Sequence, residues 1–266
     1  MRVQTEEWRR FIPGVRMYKG KKTLFYNGEI LFDDETGEWL IYDKEERKSW
    51  KVIFVLPGVE IIGELTFAEC CNVETVIMAD SVKRIKDDAF ANCRKLAYVK
   101  LSTILEYIGK VAFYRCSLTS VFIPQSCREI ESQAFYGCRK LVIFHVPQET
   151  QLYGWDVISG TALIAAAPFE MNEEREDEKD MDNEMNDWIK NINNEEKYTL
   201  HRLCCSHIIE MNDIQTFVER EGLRAMTVKN TIGVTPSEYL EANPFLKVEE
   251  KQIIKDFILR KMGEMV

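Results

Sequence analysis

Nowhere in these 266 residues is there a run of about 18 apolar side chains, so the sequence offers no membrane-spanning helix. The opening Met1-Arg2-Val3-Gln4-Thr5-Glu6-Glu7-Trp8-Arg9-Arg10 lacks the apolar core of an export signal, and no Asn-x-Ser/Thr acceptor occurs. The expectation is a cytoplasmic chain. There is no glycine-rich phosphate loop, no Gly-x-Ser-x-Gly elbow and no carboxylate pair beyond what the repeats account for. The sequence therefore makes no case for an enzyme and names no cofactor. A basic face is missing as well. Residues 1–49 hold ten basic and ten acidic side chains, residues 50–163 twelve of each, and residues 188–266 stand at −1. The net charge of −9 arises almost wholly in residues 170–187, with ten acidic and two basic side chains. Nothing here has the footprint of a nucleic-acid binder.

What the chain does have is self-similarity. Phe, two residues, Cys recurs as Phe67-Ala68-Glu69-Cys70, Phe90-Ala91-Asn92-Cys93, Phe113-Tyr114-Arg115-Cys116 and Phe135-Tyr136-Gly137-Cys138, at intervals of 23, 23 and 22. A fixed period of this size marks a solenoid, in which each coil buries its apolar edge against its neighbours. Every unit opens on a short strand with an inward pair: Ile53/Val55, Val76/Met78, Val99/Leu101, Val121/Ile123 and, in a fifth unit, Phe144/Val146. A turn follows, then Ile62, Ile85, Ile108 and Ile130, then the Phe and Cys. The fifth unit loses both, with Ile158 near the Phe position. The four repeat cysteines sit in one phase as small buried residues. A ladder spacing of about 5 Å would allow them to bridge, but with no export signal the reduced form is expected.

The pattern of strand, Ile-Pro-x-Ser, Ile and Ala-Phe-x-x-Cys, clearest from Val121-Phe122-Ile123-Pro124-Gln125-Ser126 through Ile130 to Ala134-Phe135-Tyr136-Gly137-Cys138, resembles the BspA-like leucine-rich repeat family over residues 50–163. That resemblance implies a right-handed solenoid with strands on one face, in a family of mainly binding proteins, often at cell surfaces. The fold expectation is α+β: a leucine-rich-repeat solenoid of about five coils, an N-terminal β-hairpin cap over residues 1–49, an acidic linker over 164–187 and a helical module over 188–266.

In the cap, Asn27-Gly28 predicts a hairpin turn between Lys22–Tyr26 and Glu29–Phe32, and a second strand pair follows around Glu38–Tyr42. The charge-dense stretch from Glu170 to Asp187 reads as a solvated spacer, or as a docking tail for a basic partner. Helices then start at Asn194, at an Asn212 capping box ending by Gly222, at Thr235-Pro236-Ser237-Glu238, and near Val248 with a stripe of Ile253, Ile254, Phe257, Ile258 and Met262. Thr199-Leu200-His201-Arg202-Leu203-Cys204 and Gly233-Val234-Thr235-Pro236 weakly resemble ankyrin repeats, which implies a structural role for His201.

His201, Cys204, Cys205 and His207 are the sharpest metal candidates, but one short helix cannot wrap four ligands around a tetrahedral ion, so no metal is expected. Cys127 takes the place of Val59, Val82 and Leu105 in other units and reads as packing. The informative surface is the strand face. If the inward pairs face the core, alternation sends Phe54, Ile77, Lys100, Phe122 and His145 outward, with Tyr98 beside them. An apolar stripe on a solvated sheet marks either an interface or a face covered by the chain's own ends. These six residues are the candidate contacts for a protein partner. The resulting expectation is a non-enzymatic interaction module. A surface-structural or adhesion role is the alternative that the family resemblance implies.

Overall fold

The computed structural model describes residues 13–29, 32–33, 38–39, 42–167, 178–193, 199–205, 211–221 and 227–263. The chain forms two compact units that divide between Asp187 and Trp188.

In the first unit, β1 (Gly14–Tyr18) and β2 (Lys21–Tyr26) form an antiparallel hairpin. A short pair follows, β3 (Phe32–Asp33) with β4 (Glu38–Trp39), then α1 (Lys44–Ser49), where Asp43 accepts from the Glu46 N–H at the N-cap. Coil one carries β5 (Val52–Val55) and β6 (Ile61–Ile62), and coil two β7 (Thr75–Met78) and β8 (Arg84–Ile85). Coil three carries β9 (Tyr98–Lys100) and β10 (Tyr107–Ile108), coil four β11 (Ser120–Phe122) and β12 (Glu129–Ile130), and coil five β13 (Ile143–His145) and β14 (Gln151–Leu152). Strands pair as two ladders, β1-β2-β5-β7-β9, parallel from β2 onward, and the all-parallel β6-β8-β10-β12-β14, with β11-β13 as a separate parallel pair.

The inward pairs from Ile53/Val55 to Phe144/Val146 are buried, as are Ile62, Ile85, Ile108 and Ile130. Between the ladders the phenylalanines form one column. Ring centroids are 5.1 Å apart for Phe67–Phe90, 5.1 Å for Phe90–Phe113 and 5.2 Å for Phe113–Phe135, and the last two pairs are near-parallel. Tyr26 of β2 meets Phe67 edge-on at one end and Phe144 of β13 meets Phe135 edge-on at the other. Burying each ring contributes about 1.5–3 kcal/mol by area alone, so this column is the principal apolar spine.

Three expectations need correction. The hairpin turn is Lys19-Gly20, with φ of 48° and 75°, rather than Asn27-Gly28. Two consecutive left-handed residues make the tight turn whose twist suits a hairpin, and β2 then spends its other edge on β5, in register Phe25↔Phe54. The complete coil with Phe and Cys is built four times where about five coils are expected. Coil five keeps both strands and closes in a 3-10 turn over Trp155–Ile158, with Ile158 buried at the Phe position. Its backbone still accepts from Phe135 N–H at Val157 O, 2.9 Å, as Ala134 O does from Phe113 at 2.7 Å. Finally, part of the acidic stretch is helical: α2 spans Glu178–Asn191, because Met181, Met185, Trp188 and Ile189 recur at helical spacing, with Met185 and Ile189 buried. Asn186 Nδ2 donates to Leu152 O at 3.1 Å. The remainder of the spacer, residues 168–177, lies outside the described residues.

The second unit continues with α3 (Thr199–Cys205), α4 (Met211–Glu221), α5 (Pro236–Ala242) and α6 (Val248–Gly263), with α3 packed on α4 and α5. The predicted starts at Asn194 and stop at Gly222 lie outside the described residues, and Asn212 falls inside α4 rather than at its cap. At α5 the capping box is complete: the Thr235 hydroxyl accepts from Glu238 N–H, and Glu238 Oε2 accepts from Thr235 N–H. On α6, Ile254 and Phe257 are buried and Ile253 is exposed, while the side chains of Ile258 and Met262 lie outside those described.

Candidate functional site

Phe54, Ile77, Tyr98 and Lys100 lie on the first ladder and Phe122 and His145 on the separate β11-β13 pair, but the row is not an open stripe. Phe54, Lys100 and Phe122 are 5%, 7% and 2% exposed, and Ile77, Tyr98 and His145 are half-buried. The hairpin explains much of this at the Phe54 end. Phe25 stacks on Phe54 at 5.3 Å and 5° between planes, and Tyr18 meets Phe54 edge-on at 5.5 Å. Phe122 lies 6.2 Å from the His145 ring, and Lys100 Nζ is 3.9 Å from Asp80 Oδ1. Burial pushes the Tyr98 phenol up to about 12. Solvent-facing alternation therefore holds for direction and fails for accessibility. A strand paired onto the edge of coil one adds aromatic rings to the same outer row.

On the opposite side of each coil, the Phe-x-x-Cys segment is held in a conformation that residue type alone does not announce. Two positions per coil are left-handed: Leu65, Asp88, Val111 and Gln133, at φ of 54°, 55°, 61° and 58°, and Glu69, Asn92, Arg115 and Gly137, at 60°, 60°, 54° and 71°. A non-glycine residue there costs about 1–2 kcal/mol. The offset is that its N–H points straight at the next coil. Glu69, Asn92, Arg115 and Gly137 donate to Ala91 O, Tyr114 O, Tyr136 O and Ser159 O at 2.8, 2.8, 2.9 and 2.8 Å. The repeat cysteines add a third set of bonds, since Cys93, Cys116 and Cys138 each donate Sγ–H to the carbonyl of the preceding coil's phenylalanine. All eight cysteines are free thiols. Burial pushes Cys70 and Cys138 up to about 12, and Cys93 and Cys116 well above the ordinary thiol value, so the proton needed for donation stays in place.

The same edge holds a groove of about 570 Å³ lined by Arg94, Arg115, Ser117, Tyr136, Arg139 and Lys140, with Gly137 and Gly160 in its wall. The interval of 22 residues is its origin. Cys116 to Val121 is one residue shorter than Cys93 to Val99 or Cys138 to Phe144. The missing residue also interrupts the first ladder, where β11 pairs with β13 and not with β9 among the described residues.

In the second unit, His201 is fully buried, with Nε2 3.0 Å from Val234 O and the ring edge-on to Tyr239 at 5.9 Å. Cys204 and Cys205 are buried on the same short helix, and His207 lies outside the described residues.

Residues 60–173 match the BspA type leucine rich repeat region in six copies, ten residues later at each end than the segment read from the sequence. Among solved structures, a leucine-rich repeat protein from Bacteroides ovatus is 26% identical over 53% of this chain and 35% of its own, with a TM-score of 0.40. A leucine rich cell surface protein from Faecalibacterium prausnitzii is 25% identical over 56% of this chain and 36% of its own, with a TM-score of 0.41. A leucine rich repeat protein from T. pallidum is 25% identical over 41% of this chain and 53% of its own, with a TM-score of 0.39. The chain thus spans between about a third and about half of the length of these proteins. No curated protein matches it. With the Phe-x-x-Cys coils stacked in parallel register and the repeat matched six times, residues 60–173 of this chain are similar to the BspA type leucine rich repeat region.

Proposed function

We propose that the chain is a protein-interaction module without catalytic activity of its own, in which the solenoid supplies a rigid face for a partner. One observation carries this reading: successive coils are locked together on the continuous β6-to-β14 ladder and along the turn edge, and on the first ladder except between β9 and β11, so surface side chains sit at fixed spacing. A surface that loses little freedom on binding costs less to engage. On the strand face, contact is made through the half-buried Ile77, Tyr98 and His145, with the buried Phe54, Lys100 and Phe122 holding that row in place. The cysteines, packed as thiols that donate to carbonyls, suit a reducing compartment, which supports a cytoplasmic location.

The test is cross-linking of partners captured by the intact protein, compared with an Ile77→Ser, Tyr98→Ser variant whose thermal unfolding is first shown to be unchanged. Loss of a specific partner from that variant supports the reading. Retention of every captured partner moves contact away from the strand face.

A further inference from the structure

The short turn of coil three places four cations around a groove without giving them acidic partners. Coil two leaves its Cys93 with Arg94-Lys95, and coil four leaves Cys138 with Arg139-Lys140, whereas coil three leaves Cys116 with Ser117-Leu118. The low turn between two high ones makes the depression, and its walls are basic for that reason. Arg94, Arg115, Arg139 and Lys140 are all exposed, and no carboxylate lies within 4.0 Å of any of them among the described residues. Some other surface cations of the first unit are paired, such as Lys21 with Glu74, Lys83 with Glu60 and Lys86 with Glu64.

The floor is shaped to match. A Cβ on Gly137 would stand 3.1 Å from Arg115 Cγ, at a φ of 71° that already disfavours a side chain. The missing side chain leaves room for the Arg115 stem, whose guanidinium carbon lies 4.8 Å from the centre of the Tyr114 ring. Tyr114 in turn stacks on Tyr136, 5.6 Å between centroids, and Tyr136 lines the groove.

The spacing selects the ligand. Arg94 and Arg139 belong to coils two rungs apart, about 10 Å at the ladder repeat. A single small anion cannot reach both. An extended peptide rises about 3.3 Å per residue, so carboxylates three residues apart span that distance. A long polyanion such as nucleic acid meets the repulsion of a chain with net charge −9, of which −8 is carried by residues 170–187.

We propose that the groove walled by Arg94, Arg115, Arg139 and Lys140 is a docking site for an extended acidic peptide segment of a partner protein. This rests on the interaction-module reading and assigns it a second surface, separate from the strand face.

The experiment measures fluorescence anisotropy of a labelled glutamate-rich peptide against the full chain, with a glutamine-substituted peptide as reference. Binding is expected to weaken as salt is raised. The variant R94E/R139E is expected to lose at least about tenfold in affinity, and R94Q/R139Q most of that, both with unchanged circular-dichroism melts. K83E/K86E, which alters net charge equally outside the groove, should bind nearly as the parent does. Equal losses in R94E/R139E and K83E/K86E would overturn the proposal, since attraction would then be general. So would tighter binding of a single-stranded oligonucleotide. If peptide binds only after Glu170, Glu173, Glu174 and Glu176 are changed to glutamine, the occupant is the chain's own acidic segment and the partner proposal fails. Failure of all peptide binding, with the strand-face variant still losing its partner, would remove the groove and leave the module reading standing.

Discussion

Cys116 Sγ donates to the carbonyl oxygen of Phe90, 3.3 Å away and one coil earlier. Cys93 and Cys138 do the same to Phe67 and Phe113, each at 3.1 Å. The two residues of the Phe-x-x-Cys signature thus meet across coils as well as within one, where the Cys116 N–H donates to Phe113 O at 3.3 Å. The ring builds the spine, and the thiol of the next coil hydrogen-bonds to that ring residue's backbone. This accounts for cysteine where any small apolar residue would fill the space. Cys116→Ala is expected to destabilise the solenoid by about 1–2 kcal/mol, from the lost bond and the small void together. A urea midpoint equal to that of the parent chain would refute it.

Thiol chemistry gives a second readout. Seven of the eight cysteines are buried and Cys71 alone is half-buried. In native buffer a disulfide-exchange reagent should modify Cys71 alone on the timescale of mixing, and all eight after denaturation. Rapid native modification of Cys93 or Cys116 would show that the coils open readily.

Alkaline pH should unfold the first unit. Burial moves Cys70, Cys127 and Cys138 from 9.0 to about 12, so the unfolded chain loses these protons before the folded one does. Tyr26 and Tyr98 behave likewise from 10.0 to about 12. A folded-state value above the unfolded one gives stability that is complete below about pH 9 and declines as pH rises toward about 12. Thermal midpoints measured across that window should fall steadily, and a flat profile would contradict the burial of these groups.

Phe113 has a parallel ring on one side at 5.1 Å and another at 5.2 Å. Phe113→Ala should cost about 3–5 kcal/mol, read as a drop in denaturation midpoint. Phe67, which borders the edge-on Tyr26, should show a loss of the same order when truncated, because its ring is equally enclosed.

Val111 carries a β-branched side chain at φ 61°, only half-buried. Val111→Asn removes branching from a left-handed position and keeps the N–H bond to Ser132 O, 3.2 Å. It should stabilise by about 1 kcal/mol. A lower melting temperature would mean that the valine methyls contribute more through packing than the backbone strain costs.

The spine was legible because its signal is periodic. Phe67, Phe90, Phe113 and Phe135 announce their own stacking, and Ile158 could be placed at the Phe position by counting alone. Thr235 was legible because a capping box is local chemistry. The hairpin turn was not, since Asn27-Gly28 is the stronger local signal but β2 is claimed by β5, a pairing 29 residues away. Leu65, Asp88, Val111 and Gln133 share no residue type that could have betrayed their backbone. Their conformation is set by donors reaching the next coil. The groove left only one trace in the sequence, the interval of 22 after two of 23.

That lone shortened interval sits where the core is indifferent to it. Phe113 and Phe135 remain 5.2 Å apart across the deletion, and the ladder from β6 to β14 runs through unbroken. Surface relief and interior register are therefore separable in this architecture. Transferring the one-residue deletion to another coil should slide the notch along the stack, making its position, and the charges that flank it, a heritable variable independent of folding.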